Sequence, residues 1–314
     1  MKKILITGCS GGLAQLCIKS LSKKQNIKII GIDPRLSEYQ HINVTYYKKK
    51  YSRNSFEEIF SKHKPDTIIH LSRIGHKNTN PIFKKEKLLD LDLITTKQFL
   101  DLALQYNIKK AILMSSFHVY GALSDNPSML TEDSPLKASI KHSQLREIVE
   151  IDYNFTNWAW KNQKQINTTV LRPCNIIGKN INNTISQYFK SAIAPVFVDF
   201  NPLFQLVHEK DMSNLIISCL SDIATGVYNV APYEFIPLKT IKKLLNPKHL
   251  SIPSFSLSII TKILSLTLKP NTLPDYLIDY LKFSSTIDGS LLQKQLPKFS
   301  FKYNWKEILE DLKN

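Results

Sequence analysis

A chain of 314 residues with 43% apolar content is long enough to bury a full core, and its composition is that of an ordinary globular protein. The formal net charge of +16 draws anions without naming one, because the excess is lysine: the only arginines are Arg35, Arg53, Arg73, Arg146 and Arg172. Lys48-Lys49-Lys50, Lys84-Lys85-Lys87 and Lys109-Lys110 form short groups without interleaved aromatics, which argues for a solvated surface and against a specific nucleic-acid site.

The chain opens with a buried strand at Ile4–Ile6 and a helix from about Gly11 to Lys23, then a second strand, Ile27–Ile32, ending in Asp33. Val44–Tyr47 reads as a strand, Phe56–His63 as a helix, Thr67–Leu71 as a strand and Leu88–Tyr106 as a helix. Ala111–Ser115 resumes the strand pattern, a helix covers roughly Gln144–Asn162, and Thr168–Leu171 is again a strand. Continuous apolar strands alternating with helices predict a parallel sheet covered on both faces.

Beyond Arg172 the rhythm is irregular. Asn180–Phe189 predicts a loop and short helix, Val196–Phe200, Leu206–His208 and Gly226–Val230 short strands, Asp211–Leu220 a helix, and Trp305–Leu312 a terminal amphipathic helix. Ser254–Leu268 is apolar but too short and broken to predict a membrane span; a buried helix is the preferred reading, with interfacial contact as the alternative. Cys9, Cys17, Cys174 and Cys219 have neither metal nor disulfide spacing, and the first apolar run leads into a glycine turn and not a signal-peptide pattern. A cytoplasmic location and no metal site are the expectations.

The most specific local feature is Thr7-Gly8-Cys9-Ser10-Gly11-Gly12-Leu13-Ala14, a glycine turn between a buried strand and a helix. Such a turn holds a dinucleotide pyrophosphate against backbone N–H groups at a helix start. Gly8 allows the tight turn, Gly11 allows close backbone approach, and Ala14 keeps the helix close to the sheet. Asp33 can accept hydrogen bonds from both ribose hydroxyls while repelling a 2′-phosphate, which favours NAD over NADP. The competing reading gives the glycines to chain packing and Asp33 to a surface turn.

Taken in order, this turn together with Asp66-Thr67-Ile68-Ile69-His70-Leu71-Ser72, Met114-Ser115-Ser116-Phe117-His118-Val119-Tyr120-Gly121, Leu171-Arg172-Pro173-Cys174-Asn175-Ile176-Ile177-Gly178 and Val207-His208-Glu209-Lys210-Asp211 resembles the NAD-dependent epimerase/dehydratase group of extended short-chain dehydrogenases/reductases. The resemblance covers nearly the whole chain. It implies an α/β fold: a Rossmann-type doubly wound parallel sheet at 1–173 and a smaller substrate lobe at 174–314, with residues from about 203 to 230 returning to the first domain. It also implies NAD bound by Gly8, Ser10, Gly11, Gly12, Leu13, Asp33, Leu71 and Ser72, and a phosphorylated or nucleotide-linked sugar as ligand. A homodimer is compatible with this reading.

The sequence departs from that group where the chemistry lies. The third strand runs into Tyr46-Tyr47-Lys48-Lys49-Lys50 without the acidic residue that meets adenine. Arg73 replaces a small residue, with a phosphate contact, solvent exposure and obstruction of the cleft as its three readings. Active relatives carry Ser or Thr beside a Tyr four positions before a Lys, the lysine lowering the phenol's pKa so that tyrosinate removes a proton. Ser116 matches the hydroxyl position, but the best register places Gln144 and Ile148 where tyrosine and lysine belong. His142/Arg146 and Ser139/Ser143 do not restore the pair, and Tyr46/Lys50 and Tyr106/Lys110 lie elsewhere. Ser116 and His118 are therefore the candidate catalytic residues. Phe117 and His118 stand where 4,6-dehydratases carry an acidic pair, which argues against ordinary sugar dehydration. The expected activity is a non-standard oxidoreductase or epimerase; the alternative is a binding or regulatory protein with impaired catalysis.

Overall fold

The computed structural model describes residues 1–37, 39–72, 85–191, 195–221, 223–246, 251–256 and 274–313, with only the backbone for 85–92. Arg73 and residues 257–268 of the expected apolar helix lie outside the described residues. Strands β1 (Lys2–Thr7), β2 (Ile27–Asp33), β3 (Val44–Lys48), β4 (Thr67–His70), β5 (Lys110–Met114) and β6 (Asn167–Pro173) come first. Between them run helices α1 (Gly12–Leu21), α2 (Arg53–His63), α3 (Lys85–Gln105), α4 (Ala138–Lys141) and α5 (Arg146–Lys161). After β6 follow β7 (Asn175–Ile177), α6 (Thr184–Lys190), β8 (Val196–Phe197), β9 (Leu203–Phe204), β10 (Leu206–His208), α7 (Glu209–Ser218) and β11 (Gly226–Val230). The chain ends through β12 (Ile236–Pro237), α8 (Leu238–Leu245), β13 (Ser251–Ile252), α9 (Asp275–Tyr280), α10 (Ser290–Gln295) and α11 (Trp305–Lys313).

Seven strands form one sheet in the order β3-β2-β1-β4-β5-β6-β11, with every pairing parallel. This is the Rossmann-type α/β sheet that the alternating pattern predicts. Side chains alternate across a strand, and β1 shows why its run is apolar throughout. Ile4 and Ile6 enter a core shared with Cys17 and Ile18 of α1 and Met212 and Ile216 of α7, while Leu5 packs with Phe56, Phe60 and Phe99 from α2 and α3 on the other face. Each such aliphatic side chain contributes about 1.5–3 kcal/mol by leaving water. Strand order reverses between β1 and β4, and ligands of open α/β sheets bind outside the carboxyl ends of strands at such a switch point.

The later segments build small pairs: β7 with β10, β9 with β12, and β8 with β13. The helix expected from Gln144 starts instead with a tight turn at Ser143–Leu145, and α5 proper begins at Arg146. The cause is tertiary: His142 is extended (φ −125°, ψ 101°) and its Nε2 lies 2.7 Å from Asp279 of α9. The surface assigned to the lysines has two exceptions among the described residues: Lys110, whose Nζ donates to Asn167 Oδ1 at 2.9 Å, and Lys242. Lys242 is fully buried, donating from Nζ to the carbonyls of Tyr188 (3.1 Å) and Ser191 (2.7 Å), and burial pulls its pKa down to about 8. Among the described residues no helix is long and apolar enough to cross a membrane.

Candidate functional site

The glycine turn begins where β1 ends. Gly8 has φ +69°, and a Cβ there would stand 3.0 Å from backbone atoms of Leu71 and Ser72, so this position demands glycine on two grounds. Its N–H is met by the Ile32 carbonyl at 3.1 Å and the Tyr51 hydroxyl at 2.9 Å. Gly11 N–H donates to the Gly8 carbonyl at 2.9 Å and caps α1 without a side-chain acceptor, so the first-turn amides face the anion-favouring end of a helix dipole. The closest packing falls on Gly12: a Cβ would overlap the Asn180 carbonyl. Of the pair Gly11 and Gly12, Gly12 is thus the one that chain packing requires, a distinction that needs the position of Asn180. Ala14 is buried against the sheet as expected.

Asp33 closes β2 with a 2% exposed carboxylate that accepts from Ser10 N–H at 3.2 Å and from Arg35 N–H at 2.8 Å. The tertiary fold thus joins the first turn to the end of the second strand, as the sequence spacing implies. Cys9 in the same turn is inert: burial and then the Asp33 charge push its thiol up to about 12. His70, at the end of β4, is buried with Nδ1 2.8 Å from Thr7 Oγ1 and its ring against Phe99 and Phe155. Burial lowers its pKa to about 4, which fits a packed structural residue.

From Leu13, Leu71 and Ser72 the cleft continues into a cavity of about 500 Å³ that also reaches Ser116, His118, Gln144 and Ile148. Ser116 Oγ lies 2.9 Å from His118 Nδ1 and caps the short turn Phe117–Val119 by accepting from the His118 N–H. The imidazole packs against Phe117 and Tyr280, with ring centroids at 4.2 and 4.9 Å, and the edge-on ring of Tyr276 stands 6.3 Å away. His142 and Arg146 do not line the cavity: His142 meets Asp279, and Arg146 pairs with Glu150 on the outer face of α5. Cys174 does line it, but burial raises its thiol pKa, so the thiolate a nucleophile requires is disfavoured.

Behind the cavity is a buried polar network. Arg172 of β6 makes two bonds to Asp152 of α5, Nη2 at 2.6 Å and Nε at 2.9 Å, and Ser115 Oγ donates to the same carboxylate. Arg172 Nη1 also donates to the Tyr120 hydroxyl at 2.9 Å, which passes the chain on to Asn229 Oδ1 at 2.8 Å in β11. Burial works against the guanidinium charge, but the two Asp152 bonds outweigh it and its pKa is raised. Sequence reading missed Tyr51, Glu147 and Tyr276 in the cavity wall. Glu147 stands three residues after Gln144, a spacing that the sequence does carry; Tyr51 and Tyr276 arrive through long-range folding.

Residues 4–231 match the model of the NAD dependent epimerase/dehydratase family. The chain belongs to this family. NAD is the cofactor the family carries. An uncharacterized protein of Mycobacterium tuberculosis is 20% identical over 260 residues, 81% of this chain and 68% of that one. The dTDP-D-glucose 4,6-dehydratase of Dictyostelium discoideum is 32% identical over 141 residues, 40% of this chain and 32% of that enzyme. Among solved structures, the Bacillus anthracis dTDP-glucose 4,6-dehydratase in complex with NAD superposes with a TM-score of 0.72 at 17% identity, covering 99% of this chain and 95% of that one. The Thermotoga maritima UDP-glucose 4-epimerase with UDP-glucose gives 0.70 at 17% identity, covering 99% and 97%. At these identities the likeness is one of fold.

Proposed function

We propose that the cleft binds NAD along Gly8–Leu13 and Asp33, and that the adjoining cavity takes a nucleotide-linked sugar for oxidoreductase or epimerase chemistry with an unusual proton-transfer group. The observation that carries this reading is the Ser116–His118 pair, set in a cavity whose wall is continuous with Leu13, Leu71 and Ser72 of the dinucleotide turn. The residues present fit the cofactor: a left-handed Gly8 tight against the neighbouring loop, a helix start without a side-chain cap, and a buried carboxylate at the end of β2. When bound, NAD supplies a hydride acceptor and donor for a carbinol carbon.

The protein's share is binding, orientation and proton handling. Asp33 holds ribose hydroxyls, while Leu71 and Ser72 form the opposite wall. Gln144 can donate and accept hydrogen bonds but has no ionisable group to remove a proton near neutral pH, and Ile148 offers neither charge nor hydrogen bond. Proton transfer therefore falls to His118, whose Nδ1 lies 2.9 Å from Ser116 Oγ. The second reading, a family member that binds its ligands without turnover, is favoured by one observation: the described cavity wall contains Gln144 and Ile148 and no lysine.

Mass analysis of copurified ligand with direct NAD titration tests binding; failure to bind NAD sinks the reading. A panel containing UDP-glucose and dTDP-glucose, followed by NADH absorbance and product stereochemistry, separates the two versions. Turnover that disappears in His118→Ala supports the enzyme. Turnover unchanged in both Ser116→Ala and His118→Ala removes these side chains from the mechanism, and NAD binding without any turnover favours the binding protein.

A further inference from the structure

Gly12 and Gly178 share a feature that their own backbone does not explain. Neither has a left-handed φ, yet neither has room for a side chain. A Cβ on Gly12 would stand 2.0 Å from the Asn180 carbonyl oxygen, and one on Gly178 would stand 2.2 Å from Cδ of Glu209. Glu209 opens α7 and is 1% exposed, although it is a carboxylate. Its two oxygens accept from one residue: Oε2 from the Asn180 N–H at 2.9 Å, and Oε1 from Nδ2 of the same side chain at 2.6 Å. A buried carboxylate is costly unless it is hydrogen-bonded, and this one has both oxygens engaged at the positive end of the α7 dipole. Two bare glycines and one buried charge thus converge on a single exposed asparagine.

Asn180 stands between the two halves of the site. On one side its carbonyl rests on Gly12, the first residue of α1, whose amides are those of the dinucleotide turn. On the other, the chain runs on through Ile181, Asn182 and Asn183, which line the cavity, and Asn183 caps α6 by accepting from the Ser186 N–H at 2.8 Å. A neighbouring contact acts in the same direction: Lys179 Nζ lies 3.5 Å from Asp311 of α11, but that lysine is 54% exposed and the pair is screened. The buried Glu209 carboxylate is therefore the stronger tether. A ligand that fixes the start of α1 narrows the positions open to the Asn180 carbonyl, and Glu209 carries that restriction to residues 180–183. Coupling of this kind is reciprocal, so a seated loop also favours the ligand.

We propose that Glu209 is a positioning residue that couples the dinucleotide turn to the cavity wall, so that NAD bound at Gly8–Leu13 orders the loop 178–183. The proposal rests on the NAD reading above and adds to it a link between the two ends of the cleft. The test is hydrogen exchange with and without saturating NAD, in the wild type, Glu209→Gln and Asn180→Asp, with melting curves to verify folding. Glutamine keeps the size but turns one acceptor into a donor facing the Asn180 donors, and aspartate at the exposed position 180 sets a second carboxylate against Glu209. In the wild type NAD should slow exchange about tenfold both at 8–15 and at 178–183, with the Asn180 amide as reporter. Both variants should keep the slowing at 8–15 and reduce that at 178–183 below about twofold, and their NAD affinity should fall about fivefold in calorimetric titration. If Glu209→Gln does not fold, Asn180→Asp decides alone. A purely structural Glu209 would lower the melting point of its variant and leave the NAD-dependent difference intact. Wild-type slowing confined to 8–15, or slowing at 178–183 that persists in either folded variant, overturns the role of Glu209. No slowing at 8–15 in the wild type at any NAD concentration overturns the cofactor reading itself, so the two failures remain distinct.

Discussion

The glycine turn and the cavity stand at the carboxyl ends of adjoining strands, yet they are made from different materials. In the turn the contacts are backbone ones: Gly8 in a left-handed conformation, Gly12 against a carbonyl, and amides at the start of α1. In the cavity they are side-chain ones: Ser116, His118, Gln144 and Ile148, with the buried Asp152–Arg172 pair behind them, joined through Ser115. A backbone-built site restricts which residues can stand there at all. A side-chain-built site tolerates any residue that packs, so its chemistry can change while the fold persists. That difference explains how a legible dinucleotide turn can adjoin a cavity lined by an unfamiliar set of side chains.

The largest effect should come from the buried ion pair behind the cavity. Asp152→Ala leaves the 3% exposed Arg172 with its carboxylate removed, and denaturant unfolding should show a loss of about 3–5 kcal/mol. A loss below about 1 kcal/mol would mean that this ion pair carries little of the stability. Next comes the turn: Gly8→Ala introduces a strained φ and a 3.0 Å clash with Leu71 and Ser72 backbone, so unfolding should register about 1–3 kcal/mol together with weakened NAD binding. Unaltered affinity and stability would break the claim that backbone geometry builds this end.

The two ends can also be separated by ligand. Asp33→Ala should weaken NAD about tenfold in direct titration while His118→Ala leaves NAD affinity unchanged and removes turnover; the reverse pattern would merge the two sites into one. The smallest effect is one of pH. Folded His70 stays neutral down to about 4, whereas an unfolded histidine protonates near about 6.5. Between those values the unfolded chain binds more protons, so stability should fall as pH drops from about 6.5 towards 4. Melting temperatures of wild type and His70→Asn across that range check it: the variant should show the shallower slope.

Much of this was readable beforehand, for identifiable reasons. The strand at β1 could be read because Ile4, Leu5 and Ile6 must satisfy two cores at once, and the turn because left-handed backbone requires Gly8. Gln144 and Ile148 line the cavity, whereas His142 and Arg146 do not. Tyr51 under Gly8 and Tyr276 opposite His118 were not readable, because nothing local to residues 51 or 276 announces a partner 43 or more positions away. Lys242, counted from the sequence among solvated lysines, proved to be buried on the carbonyls of Tyr188 and Ser191 at the end of α6.

The sequence by itself determined the alternation of strands and helices, the glycines of the first turn and the carboxylate at the end of β2, because period, steric freedom and charge are properties of single residues and their spacing. Only the tertiary structure decided that Arg35 covers that carboxylate, that Gly12 is the glycine against a carbonyl, and that α9 brings Tyr276 and Asp279 beside His118 and His142. Those contacts depend on where distant backbone segments come to rest, and packing of both sheet faces sets that position.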